Sequence, residues 1–146
     1  MAKPMVLFVC TANSCRSQMA EGFLRHLGGD HFEAASAGAH PTQLNQDAVR
    51  VMKERGIDIS KHHSKDVTEF WKQRVHYVIT VCDKAKETCP IFPFALTKLH
   101  WSLEDPAAAE GTEAQRLAVF RRVRDQIEKV VAEFVAKESQ QVVKAN

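Results

Sequence analysis

The sequence is poor in cysteine, in net charge and in long apolar runs, and each shortage excludes a class of protein. Four cysteines among 146 residues are too few for a disulfide-rich secreted scaffold. A formal net charge of +2 gives no bias toward nucleic acid or an anionic membrane as partner. No apolar run approaches the ~20 residues that span a bilayer. The sequence therefore predicts one cytoplasmic domain over residues 1–146, with 45% apolar residues to close one core.

The few cysteines carry much of the functional information. In the cytosol a thiol that matters is usually catalytic, redox-active or metal-binding. Structural zinc sites use short Cys-x2–4-Cys knuckles in pairs, whereas the gaps between the cysteines here are four, 66 and six residues. The spacing therefore fits a zinc site poorly. The cysteines could instead have catalytic or redox roles, or could be buried simply as apolar side chains of the core.

Apolar segments alternate with amphipathic segments along the chain. Nearly continuous apolar residues predict strands buried on both faces, and apolar residues at three- and four-residue steps predict helices. The predicted strands are residues 5–10, 31–38, 75–82 and 96–102. One predicted helix follows the first strand and ends at Gly28, and two more cover residues 45–56 and 112–135. Residues 137–146 are predicted to be a frayed tail. The alternation predicts a three-layer α/β fold, in which a four-stranded parallel sheet has helices on both faces and binds ligands at its C-terminal edge.

The helical patterns also predict which side chains are buried. The spacing places Leu27 on the inner face of the first helix and Val130 on the inner face of the last. The basic run at residues 121–125 is predicted to form a solvated face. Asn45 is predicted to cap the second helix.

The segment CTANSCRS, residues 10–17, lies where the first strand ends and the first helix begins, and we call it the anion loop. Backbone N–H groups converge in such a turn, and the helix dipole adds about half a positive charge. That field favours a nucleophilic thiolate at Cys10, while Arg16 can hold two oxygens of a tetrahedral oxyanion. Ser17 can donate a hydrogen bond to the Cys10 sulfur, and Asn13 tolerates left-handed backbone. The loop predicts thiolate attack on a phosphate-like anion; the plainer alternative is a strand–helix turn with a buried cysteine.

These residues resemble a known family. The pattern of a cysteine, five intervening residues, an arginine and a serine, from Cys10 to Ser17, is similar to the phosphate loop of the low-molecular-weight tyrosine phosphatase fold. The longer CTANSCRSQMAEGF, with SAG ending at Gly38 and DIS beginning at Asp58, resembles the thioredoxin-coupled arsenate reductase branch, over about residues 5 to 136. The substrate-binding residues that the resemblance implies are Thr11, Ala12, Asn13, Ser14, Cys15, Arg16 and Ser17.

An Asp-Pro pair at Asp105 and Pro106 follows the fourth predicted strand. Proline disfavours a helical backbone at the preceding residue, so Asp105 is expected to be extended. The resemblance implies that Asp105 is the proton donor to the leaving group, with Glu104 as the neighbouring rival and a surface turn as the plainer alternative. AAAEG follows where the phosphatases carry aromatic residues, which removes an obvious platform for phosphotyrosine.

Cys82 and Cys89 are two further thiols, which a phosphatase does not need. The resemblance implies a relay in which Cys10 forms an adduct with arsenic, Cys82 attacks Cys10, and Cys89 then attacks Cys82. DKAKET between these cysteines is rich in helix formers. A helix there would separate their Cα atoms by about 10 Å, farther than a disulfide allows, so we expect the segment to unwind on oxidation.

The resemblance also implies supporting residues around the anion loop. His62 is similar to a histidine that supports the loop by hydrogen bonds, although a surface position is an equal alternative. Some relatives bind potassium at positions that match Asn13, Glu21 and Ser36. Lys65 stands where a further carboxylate is expected, which weakens that site, and no other metal is predicted.

Together these patterns predict a cytoplasmic, monomeric arsenate reductase for arsenic detoxification, with residual phosphatase activity as a side reaction. It holds no cofactor and requires an external thiol reductant: thioredoxin, glutaredoxin with glutathione, or mycothiol. No nucleic acid or membrane partner is expected. The alternatives are a low-molecular-weight tyrosine phosphatase and a non-catalytic thiol module that senses arsenite or a metal.

Overall fold

The structure is a computed structural model that describes residues 3–82 and 95–145, with side chains as far as residue 140. Two short 3-10 helices, Val67–Phe70 and Pro106–Ala108, lie between the longer elements. The longer elements are β1 (Met5–Cys10), α1 (Arg16–Gly28), β2 (Glu33–Gly38), α2 (Gln46–Lys53), β3 (Tyr77–Thr80), β4 (Thr97–His100) and α3 (Glu113–Ala145).

The four strands form one parallel sheet in the order β2-β1-β3-β4. β1 is a central strand, and Val6, Leu7, Phe8 and Val9 are all fully buried. Burial without alternation means that both faces of the sheet are covered there. The predicted α/β class with a four-stranded parallel sheet is confirmed.

The strand register brings functional segments to one edge of the sheet. Cys10, the last residue of β1, pairs with Gly38 at the end of β2, and Val9 pairs with Thr80 at the end of β3. Because parallel strands end at the same edge, the anion loop and the segment after β3 emerge side by side.

The buried faces of the helices differ from the sequence prediction at two positions. Leu27 is 41% exposed, because Leu24 and then Gly28 complete the inner face of α1. A Cβ on Gly28 would lie 2.8 Å from Val135 of α3, so the two helices approach closely there. In α3 the fully buried residue is Val131 rather than Val130, since Val131 follows Ile127 by a full four-residue step.

The basic run of α3, residues 121–125, is not wholly solvated, so the sequence prediction is wrong for part of it. Arg124 is only 7% exposed and donates hydrogen bonds to the carbonyl of Val51 and the carboxylate of Glu54. An arginine that satisfies the last turn of a neighbouring helix is a structural contact that periodicity does not show.

α3 is also longer than predicted. It continues past residue 135 to Ala145, so the tail predicted to be frayed is helical as far as Ala145. The hydroxyl of Tyr77 donates to Glu138 at 2.9 Å, which ties this extension to β3. Burial and this acceptor raise the pKa of Tyr77 to about 12. In the described part of the chain, no helix combines the length and apolarity needed to cross a membrane.

Candidate active site

The carbonyl groups of residues 11–14, in the anion loop, point outward to donors on other segments. Thr11 O accepts from His40 N at 2.8 Å, Ala12 O from Thr42 N at 3.1 Å, Asn13 O from Ser64 Oγ at 2.8 Å, and Ser14 O from Asn45 N at 3.0 Å. In a trans peptide the carbonyl and the next N–H point in opposite directions. The N–H groups of residues 12–15 therefore face the inside of the loop, which is the arrangement that binds an anion.

Asn13 fixes the shape of the anion loop from within. Its φ is 51°, in the left-handed region expected for it, and its side chain is fully buried. The amide donates to Ser17 Oγ at 2.8 Å, and its Oδ1 accepts from the backbone N of Lys65 and from Gln18 Nε2. Every polar atom of this side chain is thus paired, so the strained turn is held by its surroundings.

Cys10 lies at the start of the loop, and its sulfur faces two donors. Cys10 Sγ is 3.2 Å from the backbone N of Asn13 and 2.9 Å from Ser17 Oγ. Because the amide of Asn13 already donates to Ser17 Oγ, the Ser17 hydroxyl proton is left to donate to the sulfur. Two hydrogen-bond donors therefore converge on the sulfur that the sequence predicts to be the nucleophile.

Gly38 leaves room for the anion loop to pass over the end of β2. A Cβ at this residue would lie 2.6 Å from Thr11 O and 2.9 Å from Asn13 N. Both are backbone atoms of the anion loop, so neither can move aside as a flexible side chain could. This close approach explains why the SAG segment ends in glycine, the residue without a Cβ.

A chain of hydrogen bonds supports the loop from below. The Arg25 guanidinium lies 3.1 Å from His62 Nε2, and because a guanidinium can only donate, Nε2 must be the acceptor. The ring proton of His62 is therefore on Nδ1, which donates to Gln18 Oε1 at 3.0 Å. Gln18 Nε2 in turn donates to the carbonyls of Asn13 and His63. Burial, chiefly, lowers the pKa of His62, in keeping with this neutral tautomer.

Gln18 was missed by sequence reasoning. It is fully buried on the inner face of α1, one residue after the anion loop. The sequence did offer one signal for a buried polar role, because Gln18 is a polar residue that directly precedes the apolar positions beginning at Met19.

The structure separates the two acid candidates. Asp105 has an extended backbone with ψ of 106°, and its Oδ1 accepts from Ala107 N at 3.0 Å. Its Oδ2 lies 3.7 Å from Arg16, which also donates to the Leu103 carbonyl at 2.9 Å. Glu104 instead forms a two-oxygen contact with Arg122 of α3. Only Asp105 of the two carboxylates faces the anion loop.

The anion loop, Asp105 and Cys82 share one cavity of about 450 Å³. Cys82 lies two residues beyond β3, and its Sγ is 3.5 Å from Thr11 Oγ1. Cys10, Cys15 and Cys82 are all buried. The lining residues are Cys10, Thr11, Ala12, Ser14, Cys15, Arg16, Cys82, Asp105 and Ala107.

The Cys15 thiol is strongly affected by its burial. Burial raises the pKa of the Cys15 thiol to about 11, against a smaller lowering by the Ser14 hydroxyl, and Asp105 raises it further. Cys15 therefore stays protonated at neutral pH and does not compete as a nucleophile. Cys89 and the predicted helical segment at residues 83–88 lie outside the described residues.

The residues that match a potassium site do not fit that ion here. Glu21 Oε1 accepts from Ser36 Oγ at 2.6 Å, and Oε2 accepts from Arg25 at 2.8 Å. The Lys65 ammonium lies 3.7 Å from Glu21 Oε1, and Asn13 Oδ1 already accepts two hydrogen bonds. Within residues 3–82 and 95–145, no three His, Cys, Asp or Glu side chains are grouped to bind a metal ion.

A cysteine at the mouth of a loop of inward amides, with an arginine and a facing aspartate, defines a class of proteins that act on tetrahedral oxyanions. The model of the low molecular weight phosphotyrosine protein phosphatase family matches residues 5–145. The chain belongs to this family.

Several similar proteins are named arsenate reductases. An arsenate reductase of Halalkalibacterium halodurans is 45% identical over 134 residues, which cover 92% of this chain and 96% of the relative. A solved structure described as an arsenate reductase in the phosphate binding state has a TM-score of 0.80 and 36% identity, covering 92% of this chain and 98% of that one. A thioredoxin-dependent arsenate reductase of Corynebacterium glutamicum has a TM-score of 0.73 and 30% identity, covering 95% of this chain and 63% of that one.

Proposed function

We propose that this chain is an arsenate reductase, which converts arsenate to arsenite for arsenic detoxification. One observation carries the proposal: Cys10 and Cys82 line the same cavity, together with Arg16 and Asp105. A hydrolytic phosphatase uses one thiol, whereas the two-electron reduction of arsenic(V) consumes two. The relatives named arsenate reductase support the same choice.

The anion loop supplies the first step. Arsenate is a tetrahedral oxyanion, and the inward N–H groups of residues 12–15 and the Arg16 guanidinium are complementary to its oxygens. To grip them, Arg16 exchanges its contacts with Leu103 and Asp105 for the substrate. The Cys10 thiolate attacks arsenic, an oxygen leaves as water with a proton from Asp105, and a Cys10–arsenic(V) bond forms.

Cys82 supplies the second electron-donating thiol. Its thiolate attacks the Cys10 sulfur, the sulfur–arsenic bond breaks, and the electron pair goes to arsenic, which leaves as arsenite. The two thiols are oxidised to a Cys10–Cys82 disulfide while arsenic(V) is reduced to arsenic(III). The short separation of Thr11 Oγ1 and Cys82 Sγ supports this step, since it sets the second thiol at the edge of the anion loop.

The resemblance supports the remaining part of the relay. Cys89 attacks Cys82, which frees Cys10 and leaves a Cys82–Cys89 disulfide for an external dithiol to reduce. A thioredoxin is the proposed donor, in line with the thioredoxin-dependent neighbour, and glutaredoxin with glutathione or mycothiol are the alternatives. We propose that the enzyme acts as a cytoplasmic monomer without a bound cofactor.

A Cys82→Ser variant tests the proposal. Steady-state arsenite formation with thioredoxin, thioredoxin reductase and NADPH should be abolished, because the arsenic adduct has no second thiol to break it. Hydrolysis of a small aryl phosphate should remain near its original rate, because it uses the anion loop and Asp105 but no second thiol. Equal loss of both activities, or arsenite turnover that survives the substitution, would contradict the relay. Replacing the thioredoxin system by glutathione with glutaredoxin, or by mycothiol, identifies the donor.

A further inference from the structure

A buried carboxylate under the anion loop is surrounded by cationic side chains. Glu21 is only 5% exposed, and its two oxygens contact Arg25 at 2.8 Å and the Lys65 ammonium at 3.7 Å. Arginine and lysine are both charged at neutral pH. The negative charge of Glu21 is therefore already balanced by side chains of the same chain.

Lys65 is built into the support of the anion loop rather than attached to its surface. Its backbone N donates to Asn13 Oδ1 at 2.9 Å, and its carbonyl accepts from the N of Gly38 at 2.8 Å. The ammonium also donates to the His63 carbonyl at 3.1 Å. Only 15% of the side chain is exposed, so the charge is directed inward onto Glu21.

A second cation beside Glu21 would meet unfavourable charge. An added ion near Glu21 Oε1 would lie close to the Lys65 ammonium, and like charges at short distance repel strongly in a partly buried site. Glu21 Oε1, the oxygen that such an ion would contact, also already accepts a hydrogen bond from the Ser36 hydroxyl. The donor set suits one positive charge, and Lys65 provides it.

We propose that the Lys65 ammonium is an internal cation that takes the place of a bound potassium ion beneath the anion loop. Lys65 is a positioning residue, which holds Glu21 and, through its own backbone, Asn13. The anion loop of this chain is then formed equally well in the presence and absence of potassium. The inference goes beyond the proposed reaction, since it concerns the state of the loop before any substrate binds.

Thermal unfolding in matched chloride salts of potassium, sodium and choline tests the proposal without an activity measurement. The original chain should have the same unfolding midpoint in all three salts at equal ionic strength. A Lys65→Asp variant places a carboxylate beside Glu21, and it should be stabilised by potassium over sodium and choline by roughly 3 °C at saturating salt. A Lys65→Arg variant should keep the insensitivity, because the charge is retained.

Matched measurements separate a specific site from a general salt effect. Lys61→Asp makes the same charge change at an exposed lysine and should show no preference for potassium. Phosphate binding by Lys65→Asp, measured by calorimetry, should recover in potassium but not in choline. If Lys65→Asp does not fold in sodium, Lys65→Asn makes the same comparison with a neutral oxygen donor. Potassium stabilisation of the original chain, or no potassium response in either folded variant, would overturn the proposal. These measurements do not depend on arsenate reduction, so a failure of the proposed function would leave them unchanged.

Discussion

The anion loop and the segment that carries Asp105 face the same cavity but are held in different ways. In the anion loop, Asn13 and Ser17 are fully buried, and the carbonyls of residues 11–14 are all paired with other segments. The Asp105 side chain is 46% exposed and approaches Arg16 at 3.7 Å. The loop is thus preorganised for an anion, while the acid is held by contacts that can be exchanged.

The difference matches the two separate tasks that we propose for the anion loop and Asp105. A loop that stabilises charge on an oxyanion works best when its donors are fixed before the substrate arrives. An acid must approach a leaving oxygen whose position depends on the substrate, so a looser attachment is compatible with its role. Substitutions in the loop should therefore change stability and rate together, and substitutions of the acid should change rate alone.

The largest expected effect separates the acid from the loop. Asp105→Asn keeps a side-chain oxygen to cap the 3-10 helix but has no acidic proton to transfer to the leaving group. The first-order rate of adduct formation should fall by roughly 10²- to 10⁴-fold, with the unfolding midpoint nearly unchanged. Stopped-flow single-turnover kinetics with arsenate and calorimetry give the two numbers. Glu104→Gln is the matched control and should retain the rate, since its pair with Arg122 is exposed. An equal loss in both variants would assign no special role to Asp105.

A substitution beside the loop should alter both properties at once. The Cβ of Gly38→Ala would collide with backbone atoms of Thr11 and Asn13. We expect the free energy of unfolding to fall by about 1 to 3 kcal/mol, and phosphate affinity to fall by at least about tenfold as the inward amides are displaced. Denaturant unfolding and calorimetric titration of phosphate measure these effects. A stable variant with unchanged phosphate affinity would show that the loop is less constrained than its contacts indicate.

A smaller effect of the same kind is expected at Gln18. Gln18→Met keeps the side-chain volume but removes the hydrogen bonds to Asn13, His62 and His63. The free energy of unfolding should fall by about 1 kcal/mol or somewhat more, because buried polar groups lose their partners. Gln73→Met, at an exposed glutamine, should be nearly neutral. Urea denaturation of both variants makes the comparison, and equal midpoints would indicate that the support chain contributes nothing.

The smallest expected effect is a pH dependence from His62. Its pKa is lowered in the folded state, so the unfolded chain binds a proton first as the pH falls. His62 therefore contributes stability above the unfolded value of about 6.5, and this contribution is lost as the pH falls through the lowered pKa. Between pH ~7.5 and ~5.5, the original chain should lose more stability than His62→Gln. Parallel losses in the two proteins would show that His62 is not the titrating group.

The sequence was informative wherever function depended on neighbouring residues. Cys10, Asn13 and Ser17 lie within one loop between a strand and a helix, so their mutual contacts follow from local spacing. The parallel sheet likewise followed from the apolar strands. Asp105 could be placed by the resemblance, and the proline after it fixed its extended backbone.

The remaining features depend on contacts between distant segments. The pairing of Lys65 with Glu21 joins the loop before a 3-10 helix to α1, and the burial of Arg124 depends on α2. Periodicity could not separate Val130 from Val131, because a three-residue step and a four-residue step from Ile127 both fit one helix face. The length of α3 beyond residue 135 depends in part on Tyr77, which belongs to a strand.

The central claim is that Cys10 attacks arsenic and Cys82 then attacks Cys10. The most direct measurement is a single turnover of a Cys89→Ser variant with one equivalent of arsenate and no external reductant, followed by quantitation of arsenite and mapping of disulfides by mass spectrometry. One arsenite per chain and a Cys10–Cys82 disulfide are the predicted result. Arsenite release with both thiols still reduced, or a disulfide that omits Cys10, would contradict the account.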